Sequence, residues 1–161
     1  MKTVKELTEH IPQVGRLEAI GLSSGRRAAI ESVERARAEV GTGLVGDHHS
    51  QGGGDRQVTL IQAEHLATVG SLLGREPIPF ELARRNLVVS GINLVALKNQ
   101  RFRIGEVVLE GSGPCAPCSR MEENLGDGGY AAMRGHGGIT ARVVTAGELT
   151  VGAEVRVVQA D

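Results

Sequence analysis

The sequence predicts a mainly β fold, a small β-barrel with a few short α-helices. Glycine accounts for 23 of the 161 residues, roughly double its average usage, which indicates many turns and close backbone approaches. Helical periodicity is confined to short segments, whereas short runs of β-favouring residues recur between glycines. A chain of this length with 40% hydrophobic content is the size of one domain with its own core. We therefore expect a single domain over residues 1–161.

The first half of the chain predicts two clear strands and one helix. Residues 16–22 mix apolar and polar positions, and residues 57–61 are rich in β-favouring side chains. Residues 62–73 switch to helical spacing and end before Gly74, a residue type that suits the position just past a helix. Periodicity does not decide whether residues 28–40 form a long edge strand or a helix.

Three other stretches of the first half predict irregular structure. Residues 1–13 are polar and are expected to form a loose lead-in. Residues 41–47 carry three glycines and predict a turn region, and the run Gly-Gly-Gly at 52–54 predicts a flexible loop tip.

The second half predicts short elements separated by glycine and proline. Pro77 and Pro79 interrupt the chain, and Gly147 and Gly152 predict a turn region near its end. The predicted elements are a helical turn at 81–85, a strand at 87–89, a hairpin of 101–104 with 107–110, short helices near 121–125 and 130–134, and strands at 139–145 and 155–158.

Charge and composition argue against several classes of function. The chain has 18 basic and 19 acidic residues, without the basic excess of a nucleic-acid or membrane-surface binder. Phe80, Phe102 and Tyr130 are its only aromatic residues, too few for a single-strand stacking platform. No apolar run approaches the ~20 residues of a membrane span, and the N-terminus lacks the apolar region of a signal peptide. With two cysteines and no export signal, we expect a cytoplasmic location.

Both cysteines lie in one segment, GPCAPCSR at residues 113–120. The Ser-Arg-Met-Glu sequence at 119–122 has the form of a capping box, so a helix is expected to start there. Cys118 would then stand at a helix N-terminus beside Arg120, and both features favour a thiolate over a thiol. The simpler interpretation is a pair of buried small hydrophobes. The two prolines and the adjacent arginine favour a functional role over that interpretation.

Three kinds of site use the C-x-x-C pattern. A thioredoxin-like dithiol follows a strand early in a βαβ unit, whereas this motif lies late in the chain. A structural zinc site needs four ligands, and the candidates to complete one are His48, His49 and His136, which lack the usual spacing. The third kind is a single working thiolate that binds a metal or carries sulfur, and it requires an anion-binding pocket.

Polar side chains recur at strand ends and in glycine-rich turns, where binding residues usually lie. Arg84, Arg85 and Asn86 directly precede an apolar strand, and their side chains suit bidentate binding of phosphate or carboxylate. A single arginine is more often a solvated surface charge. His136 is equally consistent with a proton donor and with a turn residue. The candidate set is Asp47, His48, His49, Arg56, Arg84, Arg85, Asn86, Arg120, His136 and Arg142.

An ordered series of segments resembles the MOSC domain, named for the C-terminal part of molybdenum cofactor sulfurase. The resemblance covers roughly residues 15–158 and rests on order and spacing more than on any single motif. It implies a mixed fold centred on a β-barrel. The segments are GLVGDHH at 43–49, RQV at 56–58, RRNLVVSG at 84–91, GEVVL at 105–109, CAPC at 115–118 and GELTVG at 147–152.

The resemblance implies a role for several residues at a molybdenum-cofactor (molybdopterin) site. Cys118 corresponds to the family's active cysteine, which ligates molybdenum or carries a persulfide. Arg84 and Asn86 match cofactor-facing residues, and Asp47 and Arg56 match the family's G-D-x-H…R-Q-V stretch. His48, Arg85 and Arg120 complete the expected cofactor-binding set, and His136 joins Cys118 as a catalytic candidate.

Three functions follow as expectations. The first is an oxidoreductase in which cofactor-bound molybdenum on Cys118 reduces a small N-hydroxylated substrate with electrons from a donor protein. The second is a sulfur carrier in which a Cys118 persulfide, loaded by a pyridoxal-phosphate-dependent cysteine desulfurase, delivers sulfur for metal–sulfur cofactor assembly. The third is a zinc-stabilised or redox dithiol module that uses Cys115 and Cys118 together.

Overall fold

A closed seven-stranded barrel forms the centre of the computed structural model, which describes residues 1–48 and 54–158. The strands are β1 (Gly15–Leu22), β2 (Glu31–Val33), β3 (Arg35–Glu39), β4 (Gly43–Leu44), β5 (Val58–Gln62), β6 (Leu87–Ser90), β7 (Arg101–Ile104), β8 (Val107–Pro114), β9 (Ile139–Thr145), β10 (Gly147–Thr150) and β11 (Glu154–Val157). Around the barrel the order is β11, β7, β8, β9, β5, β6 and β1, and β11 closes the ring on β1. The mainly β prediction is therefore confirmed.

Five short helices and one 3₁₀ turn at Leu94–Leu97 accompany the described strands. The helices are α1 (Val4–Glu9), α2 (Ala63–Leu72), α3 (Phe80–Ala83), α4 (Arg120–Leu125) and α5 (Gly129–Met133). Within the described ranges, no helix has the length and apolar character needed to cross a membrane.

Two apolar clusters explain which strands alternate and which do not. In β8 and β9, buried positions alternate with more exposed ones, because only one face of each strand meets the barrel interior. In β5, the first four residues are all buried, because the outer face of the strand packs against helices. That second cluster joins Ile61 and Val88 to Leu66, Val69, Met121 and Met133 from the helices.

β5 and β6 are the parallel pair of the barrel, and their connection shapes the helical side of the molecule. Leu60 lies opposite Leu87 and Ile61 opposite Val88. Parallel neighbours need a crossover connection, and α2 and α3 supply it. The crossover delivers the chain to residues 84–86, directly before β6, and so sets the position of the candidate site.

Two regions differ from the sequence-based expectations. Residues 1–13 are not a loose lead-in, because α1 forms there with a complete capping box between Thr3 and Glu6. Residues 147–152 are not only a turn region, because β10 pairs with β3 from Leu149 opposite Ala36. The ambiguous stretch 28–40 resolves into two short strands, β2 and β3.

Most of the remaining elements follow the predictions within a few residues. The hairpin of β7 and β8 turns at Gly105, whose φ of 59° lies in the left-handed region. Gly74 follows α2 with a φ of 68°, as its predicted place past the helix requires. The predicted loop tip at 52–54 falls mostly outside the described residues.

Candidate functional site

A cavity of about 510 Å³ opens among five separate segments of the chain. The β1–β2 loop contributes Ser23, Arg26, Arg27 and Ile30, and the turn after β4 contributes Asp47 and His48. Arg56 precedes β5, and residues 84–86 precede β6. The fifth segment is the cysteine loop with the start of α4, residues 118–123. Loops that a rigid barrel holds together are the usual location of binding residues.

Eight residues predicted from the sequence line this cavity together. They are Asp47, His48, Arg56, Arg84, Arg85, Asn86, Cys118 and Arg120. Cys115, His136 and Arg142 are not among its lining residues, and His49 lies outside the described residues. The structure thus brings the predicted cofactor-binding set together, while their individual roles stay predictions.

The two cysteines occupy different environments. Cys118 is exposed and lines the cavity, whereas Cys115 is buried with only 2% of its surface exposed. The Cys115 N–H donates to the Gly138 carbonyl at 2.9 Å, which fixes the start of the loop on β9. Across the described ranges, no three His, Cys, Asp or Glu side chains group to hold a metal ion. The dithiol and zinc alternatives therefore gain no support from the geometry.

The capping box predicted at 119–122 does not form, although α4 does begin at Arg120. Ser119 has a helical backbone (φ −56°, ψ −23°), and its side chain makes no capping hydrogen bond. An N-cap residue needs an extended backbone to turn its oxygen onto the first free N–H groups. The Glu122 carboxylate instead accepts from the N–H groups of Gly128 and Tyr130 at 2.9 and 3.0 Å. The Tyr130 and Gly128 bonds lower the pKa of Glu122.

Arg85 is a buried arginine that joins the cysteine loop to the glycine-rich loop before β9. Its Nε donates to the Gly137 carbonyl at 2.8 Å, and Nη1 donates to the Ala83 carbonyl at 3.0 Å. Nη2 donates to the carbonyls of Cys115 and Ala116, each at 3.4 Å. Burial lowers the pKa of Arg85, and the nearby Cys115 raises it. The guanidinium therefore holds Cys118's loop in place through backbone carbonyls.

Arg84 holds the β1–β2 loop in place, as Arg85 holds the cysteine loop. Its Nη1 donates to the Ala28 carbonyl at 2.7 Å, and its Nη2 donates to the Ser23 hydroxyl at 3.2 Å and the Arg26 carbonyl at 3.1 Å. The backbone is in the left-handed region, with φ 56° and ψ 44°. Burial and then Arg120 lower the pKa of Arg84. A cationic side chain thus both faces the cavity and fixes one of its walls.

Asn86 uses both ends of its amide inside the barrel wall. Its Oδ1 accepts from the Thr59 N–H at 3.0 Å and from the Thr59 hydroxyl at 3.2 Å. Its Nδ2 donates to the Gly21 carbonyl at 3.1 Å. The side chain is 2% exposed. Its hydrogen bonds connect β5 to β1 at the point where β6 begins.

Asp47 and His48 both contact Ser23, at the start of the β1–β2 loop. Asp47 is buried, and its Oδ1 accepts from the Ser23 N–H at 2.8 Å. The His48 N–H donates to the Ser23 carbonyl at 2.8 Å, and the ring Nδ1 lies 3.1 Å from the same oxygen. Together with Arg84, these contacts fix the loop from two sides.

Four arginines line the cavity without a hydrogen bond or ion pair from their guanidinium groups to any described residue. Arg56 and Arg120 were predicted from the sequence, whereas Arg26 and Arg27 were not. A signal for the second pair exists, since two arginines follow Ser-Ser-Gly in a loop. Arg26 and Arg27 are an adjacent pair shortly before a strand. Arg84 and Arg85, which were predicted, have the same arrangement.

His136 and Arg142 have partners away from the cavity. The His136 Nδ1 lies 3.1 Å from the Ala132 carbonyl, and its ring centroid is 5.2 Å from that of His65 in an edge-to-face arrangement. Burial and then His136 lower the pKa of His65. Arg142 forms ion pairs with Asp55 and Glu110.

Comparison with solved structures supports the fold. The YUAD protein from Bacillus subtilis is 17% identical, with a TM-score of 0.82 over 94% of this chain and 100% of that one. YiiM from Geobacillus stearothermophilus is 18% identical, with a TM-score of 0.74 over 90% and 75% of the two chains. YiiM from Escherichia coli is 19% identical, with a TM-score of 0.67 over 91% and 71%. At these identities, the likeness concerns the fold alone.

The sequence also matches a protein family. No curated protein sequence matches the chain significantly. The family model of the MOSC domain matches residues 47–156, a span that runs from the cavity residue Asp47 through Cys118 to the closing strand β11. The match covers well over half of the chain, so this protein belongs to the MOSC domain family.

Proposed function

We propose that this protein binds the molybdenum cofactor in the arginine-lined cavity and reduces small N-hydroxylated compounds with Cys118 as the molybdenum ligand. Membership of a family associated with molybdenum-cofactor binding supports the choice of cofactor. One observation carries the proposal. The exposed thiol of Cys118 lines the same cavity as four arginines whose guanidinium groups have no hydrogen-bond or ion-pair partner among the described residues.

The residues present fit the chemistry of this cofactor. A thiolate is the soft ligand that suits a metal of this kind, and guanidinium groups suit a terminal phosphate. The cavity of about 510 Å³ lies in the usual range of roughly 300–1,000 Å³ for small-molecule and cofactor sites. Two of its six arginines, Arg84 and Arg85, already donate to backbone carbonyls. Of the remaining four, we assign the phosphate to Arg56, which lies just before β5, and to Arg120, which lies two residues after Cys118.

The side chains of the cavity divide into holding and positioning groups. Cys118 would hold the metal, and Arg56 and Arg120 would hold the phosphate. Arg85 positions the cysteine loop, because it donates to the Cys115 and Ala116 carbonyls. Of the two histidines with predicted roles, His48 lines the cavity and His136 does not, so His48 is the better-placed proton donor.

The proposed reaction requires a partner protein. When bound, the cofactor supplies two-electron redox chemistry at the metal. Converting an N–OH group to N–H releases the oxygen as water and consumes two electrons and two protons. The electrons must come from a donor protein in the cytoplasm, where thiols such as Cys118 stay reduced.

The test is metal and pterin analysis of the protein isolated from a host that makes the cofactor. We expect molybdenum and pterin in near-equal amounts in the unmodified protein. Cys118→Ser should lose molybdenum and activity with unchanged stability, because the side chain is exposed. Cys115→Ser should keep the metal but lose about 1 kcal/mol of stability, since it places a hydroxyl in a buried site. Equal loss of metal from both variants would contradict the proposal.

A sulfur carrier is the second candidate function, and the exposure of Cys118 favours it. A thiol that a desulfurase must reach has to lie at the surface, and Cys118 does. In that case a pyridoxal-phosphate-dependent cysteine desulfurase would load Cys118 with a persulfide for metal–sulfur cofactor assembly. The same preparation would then contain sulfane sulfur on Cys118 and no molybdenum.

A further inference from the structure

We propose that the cavity binds a second anionic group, at a subsite formed by Arg26 and Arg27, in addition to the single phosphate assigned above. The inference rests on the proposed function for the first anion. The second group belongs to a diphosphate-bearing form of the cofactor or to an anionic substrate. In both cases its chemistry is that of an oxyanion that accepts charged hydrogen bonds.

The number of free guanidinium groups is the first argument. Four arginines without described partners line the cavity, and each has five N–H donors in a planar fork. A terminal phosphate has three free oxygens, which two bidentate forks are enough to occupy. Arg56 and Arg120 are sufficient for one phosphate, and this leaves Arg26 and Arg27 without an acceptor in the part of the chain that the structure describes.

The charge of the lining is the second argument. Six arginines line the cavity, against two carboxylates, Asp47 and Glu123, and the Asp47 carboxylate already accepts from the Ser23 N–H. Three strand arginines outside the cavity, Arg101, Arg142 and Arg156, each lie beside a glutamate. Arginine stays protonated at neutral pH, so it cannot relieve the repulsion by losing a proton.

The loop that carries Arg26 and Arg27 is the third argument, because its backbone is fixed while the two side chains are left exposed. The Ser23 hydroxyl donates to the carbonyls of Gly25 and Ala28 at 2.7 and 3.1 Å. Arg84 donates to the Ala28 and Arg26 carbonyls from the other side. A preorganised loop lowers the entropic cost of binding a ligand. Arg84 is thus a positioning residue for this subsite.

The experiment is a calorimetric titration with inorganic pyrophosphate and inorganic phosphate, on the protein as isolated and after release of any cofactor. The variant is Arg26→Ser with Arg27→Ser. The matched control is Arg75→Ser with Arg103→Ser, which removes the same charge from two exposed arginines outside the cavity lining. Charged hydrogen bonds are lost only in the first variant, so we expect pyrophosphate to bind at least about tenfold more weakly there, with the control unchanged. Molybdenum and pterin content should be unchanged in the control.

Two results support the subsite and identify the source of the anion. A diphosphate group in the released cofactor in proportion to molybdenum, with pyrophosphate binding only after cofactor release, assigns the second anion to the cofactor. Pyrophosphate binding to the protein as isolated, with no diphosphate in the released cofactor, assigns it to a substrate.

Two results would overturn the subsite. These are equal weakening of pyrophosphate binding in the variant and the control, and no pyrophosphate binding in either form. Absence of molybdenum with normal pyrophosphate binding would refute the proposed function while leaving this subsite in place.

Discussion

Two pairs of adjacent arginines face the same cavity, and they differ in what their side chains contact. Arg84 and Arg85 donate to backbone carbonyls and one hydroxyl from the β1–β2 loop, the cysteine loop and the glycine-rich loop. Arg26 and Arg27 have no such contacts among the described residues, and both are exposed. The first pair holds the walls of the cavity in place, and the second pair is exposed to a ligand that enters the cavity.

The difference teaches that paired arginines near a site can serve either purpose. What separates the two cases is whether carbonyl oxygens lie within reach of the guanidinium fork. Buried cations need such acceptors, because an unpaired buried charge is very costly. Exposed cations beside a cavity need none until a ligand arrives. Substitutions should therefore affect stability in the first pair and ligand binding in the second.

The largest effect on stability is expected from Arg85→Met. The change removes a side chain that is 3% exposed and leaves the Gly137 and Ala83 carbonyls without their donor. Loss of about 3–5 kcal/mol in the free energy of unfolding is expected, as for other broken buried charged networks. Urea titration measures it, and Arg103→Met, at an exposed position, should change stability by less than about 0.5 kcal/mol. A loss below about 1 kcal/mol for Arg85→Met would mean that the carbonyls find water instead.

A smaller loss is expected from Asn86→Ala, which tests whether the wall extends beyond the arginines. The substitution removes the amide bonds to Thr59 and Gly21 inside the barrel. We expect about 2–3 kcal/mol less stability, since buried partners are left unpaired. Asn93→Ala is the matched control, because Asn93 is exposed and its side chain caps nothing. Similar stabilities of the two variants would show that the Asn86 hydrogen bonds do not stabilise the cavity wall.

The same four-residue pattern behaved differently at two places, which shows how far sequence reasoning reached. Thr3 to Glu6 forms a capping box, although the segment was expected to be loose. Ser119 to Glu122 does not, although a capping box was expected. The N-terminal segment is exposed and its side chains have only each other to bond. Glu122 instead reaches the N–H groups of Gly128 and Tyr130, and no local pattern reveals that competition.

The strands were predicted where local alternation or an apolar run reports burial, as in β1, β5 and β9. β10 was missed because what defines it is its pairing with β3, more than 100 residues earlier in the chain. The family resemblance and the polar residues at turns together identified eight residues that line one cavity. Neither signal distinguished the residues that hold the cavity walls from those free to contact a ligand. The acceptors that mark Arg84 as a wall residue lie 56 to 61 residues away in the sequence. Arg26 and Arg27 were missed because the contacts that hold their loop at the cavity come from Arg84, far along the chain.

Arg84→Ala tests the wall on the side of the β1–β2 loop. Loss of the guanidinium should lower stability by about 1–2 kcal/mol and speed amide hydrogen exchange in residues 23–28, whose carbonyls it holds. Arg84 has a left-handed backbone, so Arg84→Gly should recover about 1 kcal/mol of backbone strain without restoring slow exchange. Arg84→Lys should restore slow exchange only in part, because lysine lacks the fork. Unchanged exchange in all three variants would show that the loop needs no arginine.

The smallest expected effect lies away from the cavity, where His65 and His136 approach each other. Burial and then His136 lower the pKa of His65 from its ordinary value of 6.5, while Glu64 opposes them. The unfolded chain therefore binds a proton at a higher pH than the folded chain does. The contribution of His65 to stability is fully present above pH 6.5 and is lost progressively as the pH falls below it.

Urea titrations at pH 7.5, 6.5 and 5.5 test this prediction with His65→Gln. The unmodified protein should lose more stability than His65→Gln as the pH falls below 6.5, while the exposed His10→Gln should follow the unmodified protein. Parallel curves for all three would show that the ring contact carries no electrostatic cost. A histidine can relieve repulsion from a second cation by losing its proton near neutral pH. Arg26 and Arg27 cannot, and this contrast is why their exposure beside a cavity points to a ligand.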